Sequence, residues 1–142
     1  MSIACGTDLI RISRIDRAVE RLGSRFLERV FHESELTACG WPECLRMPSL
    51  AARFAAKEAV SKALGTGIWR QGVQWTDIRI GQKKEDAAQQ SGQPIVHLSG
   101  KALKRYQEMN GTTISVSMSH DGDLALAFCV ISYDSAESCL IL

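Results

Sequence analysis

The sequence predicts a single domain in which α-helices are combined with β-strands. Two local patterns lead to this prediction. Residues 53–67 are rich in alanine, leucine, lysine and glutamate, which favour a long helix, and they reach a glycine that favours a stop. Residues 113–119 alternate apolar and polar side chains, as a half-buried strand does. A length of 142 residues with 45% hydrophobic residues suffices for one unit, residues 1–142, with a real core.

The net charge, the hydropathy and the cysteine pattern exclude several classes of protein. A net charge of +1 argues against general nucleic-acid binding. No apolar run is long enough to cross a membrane, and the N-terminus lacks the features of a signal peptide. The five cysteines are irregularly spaced and lack the spacing of a zinc site, so we expect free thiols. Free thiols favour a cytoplasmic location, because the cytosol keeps them reduced.

The first element is a strand over residues 2–12 that leads into a turn. Within it, Gly6 marks either a β-bulge or a place where another backbone approaches closely. Asp8 stands near the end of the strand. An acid in this position either binds a metal or caps a helix, and the segment taken alone slightly favours the cap.

An amphipathic helix follows over residues 13–22. Its predicted buried face repeats at steps of three and four residues and consists of Ile12, Ile15, Val19, Leu22 and Phe26. Arg14, Arg17 and Arg21 share a different face. This basic face is either simply solvated or a docking strip for an acidic partner, because arginine pairs well with carboxylates and phosphates.

Two shorter helices are predicted next, over residues 25–31 and over residues 32–39. We expect His32 to be exposed or to cap the second of them. Glu33 and Glu35 stand in the first turn of that helix, where negative charge favours the helix dipole. Both are therefore expected to be surface charges.

The long central helix follows an irregular loop over residues 40–48, and Pro48 offers its start. Gly65 supplies a left-handed stop. Glu58 and Lys62 are four residues apart and share one face of this otherwise smooth, apolar helix. They form either an exposed ion pair or a site in which Glu58 binds a hard cation and Lys62 a phosphate.

The second half of the chain predicts four strands and one further helix, with no prediction for the tail at 133–142. The strands are two short ones flanking a polar excursion over residues 81–93, and two that form a hairpin with an Asp-Gly turn. The predicted ranges are 76–80, 95–98, 113–119 and 124–131 for the strands and 100–109 for the helix. Ser119 and His120 precede the turn, and they either are structural or present a hydroxyl and an imidazole to a phosphate.

Three segments together resemble one family. They are Gly-Thr-Asp-Leu-Ile at 6–10, Phe-Ala-Ala-Lys-Glu-Ala-x-x-Lys-Ala-Leu-Gly-Thr-Gly at 54–67, and Ser-Met-Ser-His at 117–120. Their order and spacing are similar to those of the holo-[acyl-carrier-protein] synthase family of 4′-phosphopantetheinyl transferases. The family usually has an aliphatic residue at the position of Thr7 and often a tryptophan near Phe54. The loop at 40–48 and the tail match the family less well.

The resemblance implies an α+β fold, with a small, mostly antiparallel sheet packed against a long central helix, that forms a homotrimer with active sites between subunits. It implies transfer of phosphopantetheine from coenzyme A to a serine of an acyl carrier protein. On this resemblance Asp8 and Glu58 bind Mg²⁺ and act in catalysis together with Lys62, while the arginine strip docks the acidic carrier. The coenzyme A contacts that it implies are Arg53, Lys62, Gly65, Thr66, Gly67, Ser119 and His120.

The residues leave two questions open. The proton of the carrier serine needs an acceptor, for which Glu35, a water on the metal and Lys62 are candidates. The function also has alternatives. A Mg²⁺-dependent nucleotide hydrolase would use the same acid–lysine site, and a non-catalytic adaptor would use only the arginine strip.

Overall fold

The computed structural model describes residues 1–83 and 92–135, and its fold is α+β. The elements in chain order are β1 (Ser2–Arg11), α1 (Ile12–Leu22), α2 (Ser24–Val30), α3 (Glu33–Ala38), α4 (Met47–Ala63), β2 (Ile78–Gln82), β3 (Pro94–Leu98), α5 (Gly100–Glu108), β4 (Gly111–Asp121) and β5 (Leu124–Tyr133). Two 3₁₀ turns, Arg70–Gly72 and Trp75–Asp77, lie between α4 and β2. Within the described residues no helix is both long and apolar enough to span a membrane.

Two antiparallel sheets make up the β layer. The larger sheet has the strand order β1-β5-β4, and β2 pairs with β3 in the smaller one. The predicted hairpin is confirmed, since Asp121 pairs with Leu124 and Gly122 adopts a φ of 53° in the turn between them. β4 begins and ends beyond its predicted limits, whereas β5 begins at the predicted residue and ends two residues later, because the pairing continues past the strictly alternating segment.

The long helix α4 packs across one face of the larger sheet, as its composition predicts. Its buried side chains are mainly alanines, which let the helix axis come close to the strands. At Gly6 the strand and the helix meet without room for a side chain, because an added Cβ would lie 2.7 Å from the backbone nitrogen of Ala63 and closer still to the carbonyl oxygen of Ala59. The register of β1 with β5 runs without interruption from Ser2 to Arg11. Gly6 is therefore a close backbone approach and not a bulge.

Helix α1 is capped by a residue from another part of the chain. The carboxylate of Asp123, in the β4–β5 turn, accepts hydrogen bonds from the backbone N–H of Ser13 at 2.8 Å and from its hydroxyl at 2.6 Å. These bonds lower the pKa of Asp123. The predicted apolar face of α1 is only partly buried, because Leu22, next to the helix end at Gly23, keeps 44% of its surface exposed.

The prediction that Glu35 is a surface charge is wrong. Its side chain is fully buried, and one carboxylate oxygen lies 2.8 Å from the Nζ of Lys57 in α4. Lys57 is equally buried, so each charge compensates the other away from water. The neighbouring prediction for His32 is confirmed, since its side chain accepts a hydrogen bond from the backbone of Ser34 and caps α3.

The first of the two short strands, β2, begins later than predicted. The 3₁₀ turn at Trp75–Asp77 replaces the first residues of the predicted strand, because the Asp77 carboxylate accepts a bond from the backbone N–H of Gln74 and closes the turn. Of the polar excursion, residues 84–91 lie outside the described part of the chain, as does the tail from 136 to 142.

The contact at Gly6 gives a direct test of the packing. Gly6→Ala would force β1 away from α4, and overpacking of this kind costs about 3 kcal/mol. We expect a matching fall in the free energy of unfolding, measured by denaturant titration. Gly92→Ala is the control, because a Cβ there meets no atom within 4 Å. Equal stability of the two variants would contradict the packing described here.

Candidate active site

The candidate site lies where β1 crosses α4. The Gly6 contact places the strand against Ala59 and Ala63, and these residues directly follow Glu58 and Lys62 on the helix. Asp8 is two residues further along β1, so its side chain lies on the same face of the strand as Gly6. The packing that removes a side chain at Gly6 is thus also what brings the three predicted groups together.

Lys62 bridges the strand to the helix. Its Nζ lies 3.0 Å from the Oδ1 of Asp8 and donates a second hydrogen bond to the carbonyl oxygen of Thr7 at 2.9 Å. Lys62 therefore pairs with Asp8, and the alternative of a simple Glu58–Lys62 ion pair is wrong. The interpretation of Asp8 as a helix cap is wrong as well, because Asp123 fills that place at α1.

The carboxylates of Asp8 and Glu58 interact electrostatically. Burial raises the pKa of Glu58, and the negative charge of Asp8 raises it further, whereas Lys62 and Arg14 lower it. The carboxylate of Glu58 is thus held half-buried beside a second anion. Such an arrangement disfavours ionised Glu58 unless additional positive charge is present.

A groove of about 530 Å³ extends from this cluster along the end of α4. It passes Gly65 and Gly67, whose φ values of 76° and 63° are left-handed and which present no side chain, so a ligand can approach the backbone closely. Further along, the groove is lined by Trp69, Arg70 and Trp75. The sequence did not predict these three residues as part of the site, because they belong to an irregular segment that has neither helical nor strand periodicity.

Comparisons with known proteins identify the family of this chain. Residues 4–129 match the family model described as the 4′-phosphopantetheinyl transferase superfamily. The chain belongs to this superfamily. Its relatives include the holo-[acyl-carrier-protein] synthases of Ruminiclostridium cellulolyticum, 44% identical over 93% of each chain, and of Nitrobacter winogradskyi, 44% identical over 96% of this chain and 98% of that one.

A solved structure of the superfamily shares the fold. The holo-[acyl-carrier-protein] synthase of Helicobacter pylori, determined in complex with coenzyme A, superimposes with a TM-score of 0.75 and is 34% identical. The match covers 90% of this chain and 99% of that one. The α+β fold and the family resemblance predicted from the sequence are therefore confirmed.

The oxygen atoms that this site offers suit a hard cation. Asp8 and Glu58 supply carboxylate oxygens, and their mutual repulsion would be offset by a divalent charge. In the described part of the chain no group of three or more His, Cys, Asp or Glu side chains could hold a metal. A metal here would therefore need water or substrate oxygens as well, which is how Mg²⁺ commonly binds at phosphate sites.

Three predicted contact residues do not reach the groove within one chain. Ser119 and His120 are exposed on β4, which is separated from β1 by β5. Arg53 is 4% exposed, and its guanidinium lies against the Sγ of Cys39 at 3.4 Å and the Ser49 carbonyl at 3.5 Å. Their assignment to cofactor binding remains a prediction, and it would require a second chain for Ser119 and His120.

The arginine strip is exposed along α1 beside the site. Arg14, Arg17 and Arg21 line one concave surface together with Phe26 and Phe54. Arg14 also acts electrostatically on Glu58, so the strip reaches the edge of the carboxylate cluster. The sequence predicted a shared face for the three arginines, and the structure adds Phe26 and Phe54 to the same concave surface.

The structure removes one candidate for the proton acceptor. Glu35 is buried, and its carboxylate accepts hydrogen bonds from the backbone N–H groups of His32 and Ile80, both at 2.8 Å, in addition to its contact with Lys57. It does not line the groove. Glu35 therefore cannot take a proton from a substrate in this conformation.

Proposed function

We propose that this chain transfers the 4′-phosphopantetheine group of coenzyme A to a serine of an apo acyl carrier protein. The observation that carries the proposal is the convergence of Asp8, Glu58 and Lys62 at the mouth of a groove whose floor is a glycine turn. The names of the relatives, and the coenzyme A in the Helicobacter pylori structure, support the choice of substrates.

The proposed reaction is a phosphoryl transfer. The serine oxygen attacks the β-phosphorus of coenzyme A, the bond from that phosphorus to the bridging oxygen breaks, and adenosine 3′,5′-bisphosphate leaves with that oxygen. The serine proton passes to water in the same process, since Glu35 is buried and the Lys62 ammonium is already protonated. Catalysis of such transfers depends mainly on positioning and on neutralising charge. Lys62 suits this role in the proposal, because its ammonium is held by Asp8 and the Thr7 carbonyl and its side chain lines the groove.

Asp8 and Glu58 would hold Mg²⁺ in this proposal. Bound there, the ion would supply positive charge to the diphosphate of coenzyme A. The raised pKa of Glu58 supports this assignment, since it reflects burial of the carboxylate and the nearby negative charge of Asp8, and a divalent cation would offset both.

The carboxylate assignment is tested with Asp8→Asn and Glu58→Gln, which keep the shape of each side chain but remove its charge. We expect each to reduce Mg²⁺-dependent labelling of apo carrier protein by coenzyme A at least about 100-fold, since charge stabilisation in such sites is worth several kcal/mol. Labelling is followed by the mass of the carrier.

Glu108→Gln on the exposed face of α5 is the matched control and should label normally. Full labelling by either site variant would refute the assignment. Rapid release of adenosine bisphosphate by the wild type with no carrier present would instead favour a hydrolase.

We further propose that the carrier protein docks on the arginine strip of α1. The three exposed guanidiniums and the adjoining Phe26 and Phe54 suit a partner whose surface is acidic with some apolar side chains. The strip adjoins Glu58, so a carrier bound there would present its serine near the proposed site.

Charge reversal tests this docking. Because Arg14 also influences Glu58, Arg21→Glu is the cleaner single variant, and Arg14→Glu/Arg21→Glu the stronger one. We expect the carrier KM to rise about tenfold or more at low salt and the difference to shrink as salt is added. Lys104→Glu on α5 is the control. A carrier KM that stays at the wild-type value at low salt would rule the strip out.

We also propose that the chain assembles as a homotrimer through the outer face of the larger sheet. α4 covers the inner face, yet the outer face carries large apolar side chains that are 40–61% exposed. These are Ile3 and Leu9 on β1 and Leu124, Leu126 and Phe128 on β5. An apolar patch spread over paired strands is typical of a protein–protein contact.

The assembly is tested with Leu126→Lys/Phe128→Glu. We expect this variant to sediment as a monomer with a wild-type far-UV spectrum and to lose most of its activity, because the proposed sites lie between subunits. Leu103→Lys, which alters an exposed leucine on α5, should leave the assembly intact. A wild-type protein that is monomeric and fully active would contradict the proposal.

A further inference from the structure

We infer that the buried Glu35–Lys57 ion pair sets the position of the Trp75 wall of the groove, and that these two residues thereby act as positioning residues for coenzyme A binding. The inference rests on the proposed function, which supplies coenzyme A as the ligand of the groove. Neither residue touches the groove. Their effect would pass through the backbone that carries Trp75.

The pair is closed by backbone groups on every side. Lys57 donates to Glu35, to the carbonyl of Trp75 at 3.2 Å and to the carbonyl of Ile78, so all three of its ammonium protons have acceptors. One oxygen of Glu35 accepts from the N–H of Ile80, and the other accepts from that of His32 and faces Lys57. Four backbone groups from three segments thus converge on two side chains.

The same clamp reaches the groove through Trp75. Its indole is 8% exposed, lies 4.6 Å from the ring of Phe54 between ring centroids, and lines the groove together with Glu58. Lys57 and Glu58 are neighbours on α4. One faces the interior and holds the carbonyl of Trp75, and the next faces the groove that the indole bounds. The distance between α4 and this wall therefore depends on Lys57.

Stability alone does not account for an ion pair in this place. Well-packed apolar residues of similar volume can often replace the charges of a buried ion pair without loss of stability, because both charges must first leave water. Apolar residues could not bind the carbonyls of Trp75 and Ile78 or the N–H of Ile80. What the pair adds is a fixed geometry for a segment that otherwise consists of a 3₁₀ turn and the first residues of β2.

The test removes both charges together, because a single substitution would leave one charge buried and unpaired. In Glu35→Gln/Lys57→Met we expect the Kd and the KM for coenzyme A to rise about tenfold, with kcat within about threefold and the carrier KM unchanged, as for a loss of ground-state binding. Coenzyme A binding is measured by calorimetry with Mg²⁺ present.

A second readout reports the wall directly. A Trp41→Phe/Trp69→Phe background leaves Trp75 as the one tryptophan of the sequence. Its fluorescence emission should shift to longer wavelength when the pair is removed, because the indole becomes more exposed to water. The control is Ile131→Val, a buried change in β5 that lowers stability, since β5 supplies none of the groups that bond to Glu35 or Lys57. If the control, matched in melting temperature, raises the coenzyme A Kd equally, the role is only structural and the inference fails.

A variant of the wall itself serves if the double variant does not fold. Trp75→Leu alters the wall and leaves the pair in place, and it should raise the coenzyme A Kd to a similar extent. An unchanged Kd in Trp75→Leu, or in the folded double variant, would overturn the inference. A wild type that binds no coenzyme A, or does not label the carrier, would count against the proposed function instead, so the two failures are distinguishable.

Discussion

The close contact between β1 and α4 is the constraint on which the site depends. A strand and a helix can approach this closely only where the strand offers a glycine and the helix offers alanines, and the chain places Gly6 opposite Ala59 and Ala63. The charged groups stand one or two residues from that contact on each element. The separation of Asp8 from α4 is therefore fixed by packing, and no flexible loop is needed to assemble the cluster.

That rigidity has an electrostatic cost. Folding holds the carboxylate of Glu58 half-buried near a second carboxylate, which raises its pKa, and only part of the repulsion is offset by Lys62 and Arg14. Because the folded pKa is raised, this group stabilises the fold below its ordinary pKa and loses that contribution as the pH rises through the folded value. A fold that accepts this cost at neutral pH retains an unsatisfied demand for positive charge, which is what a cation and a diphosphate together would meet.

The sequence was most informative where the structure is local. The long helix ending at Gly65, the Asp-Gly hairpin and the cap at His32 all follow from patterns within a few residues. The sequence was least informative where partners are distant. Glu35 reads as a surface charge because nothing nearby shows that Lys57 is buried opposite it. Residues near the site were found through the family resemblance, whereas the Trp69 and Trp75 walls come from a segment without periodicity.

The alternation of β5 illustrates a different limit. β5 has small apolar residues on one face and large ones on the other, and both faces must be shielded from water. Side chains that alternate along a strand show that two faces exist, but they do not show which part of the protein packs on each face. In this chain Ala125 and Ala127 face α4, because only small side chains fit under a helix that approaches so closely, and Leu126 and Phe128 are left outside. The close packing that brings Asp8 to α4 thus also explains why the large side chains of β5 point away from the helix. On this argument the proposed catalytic cluster and the proposed subunit contact are two consequences of the same packing.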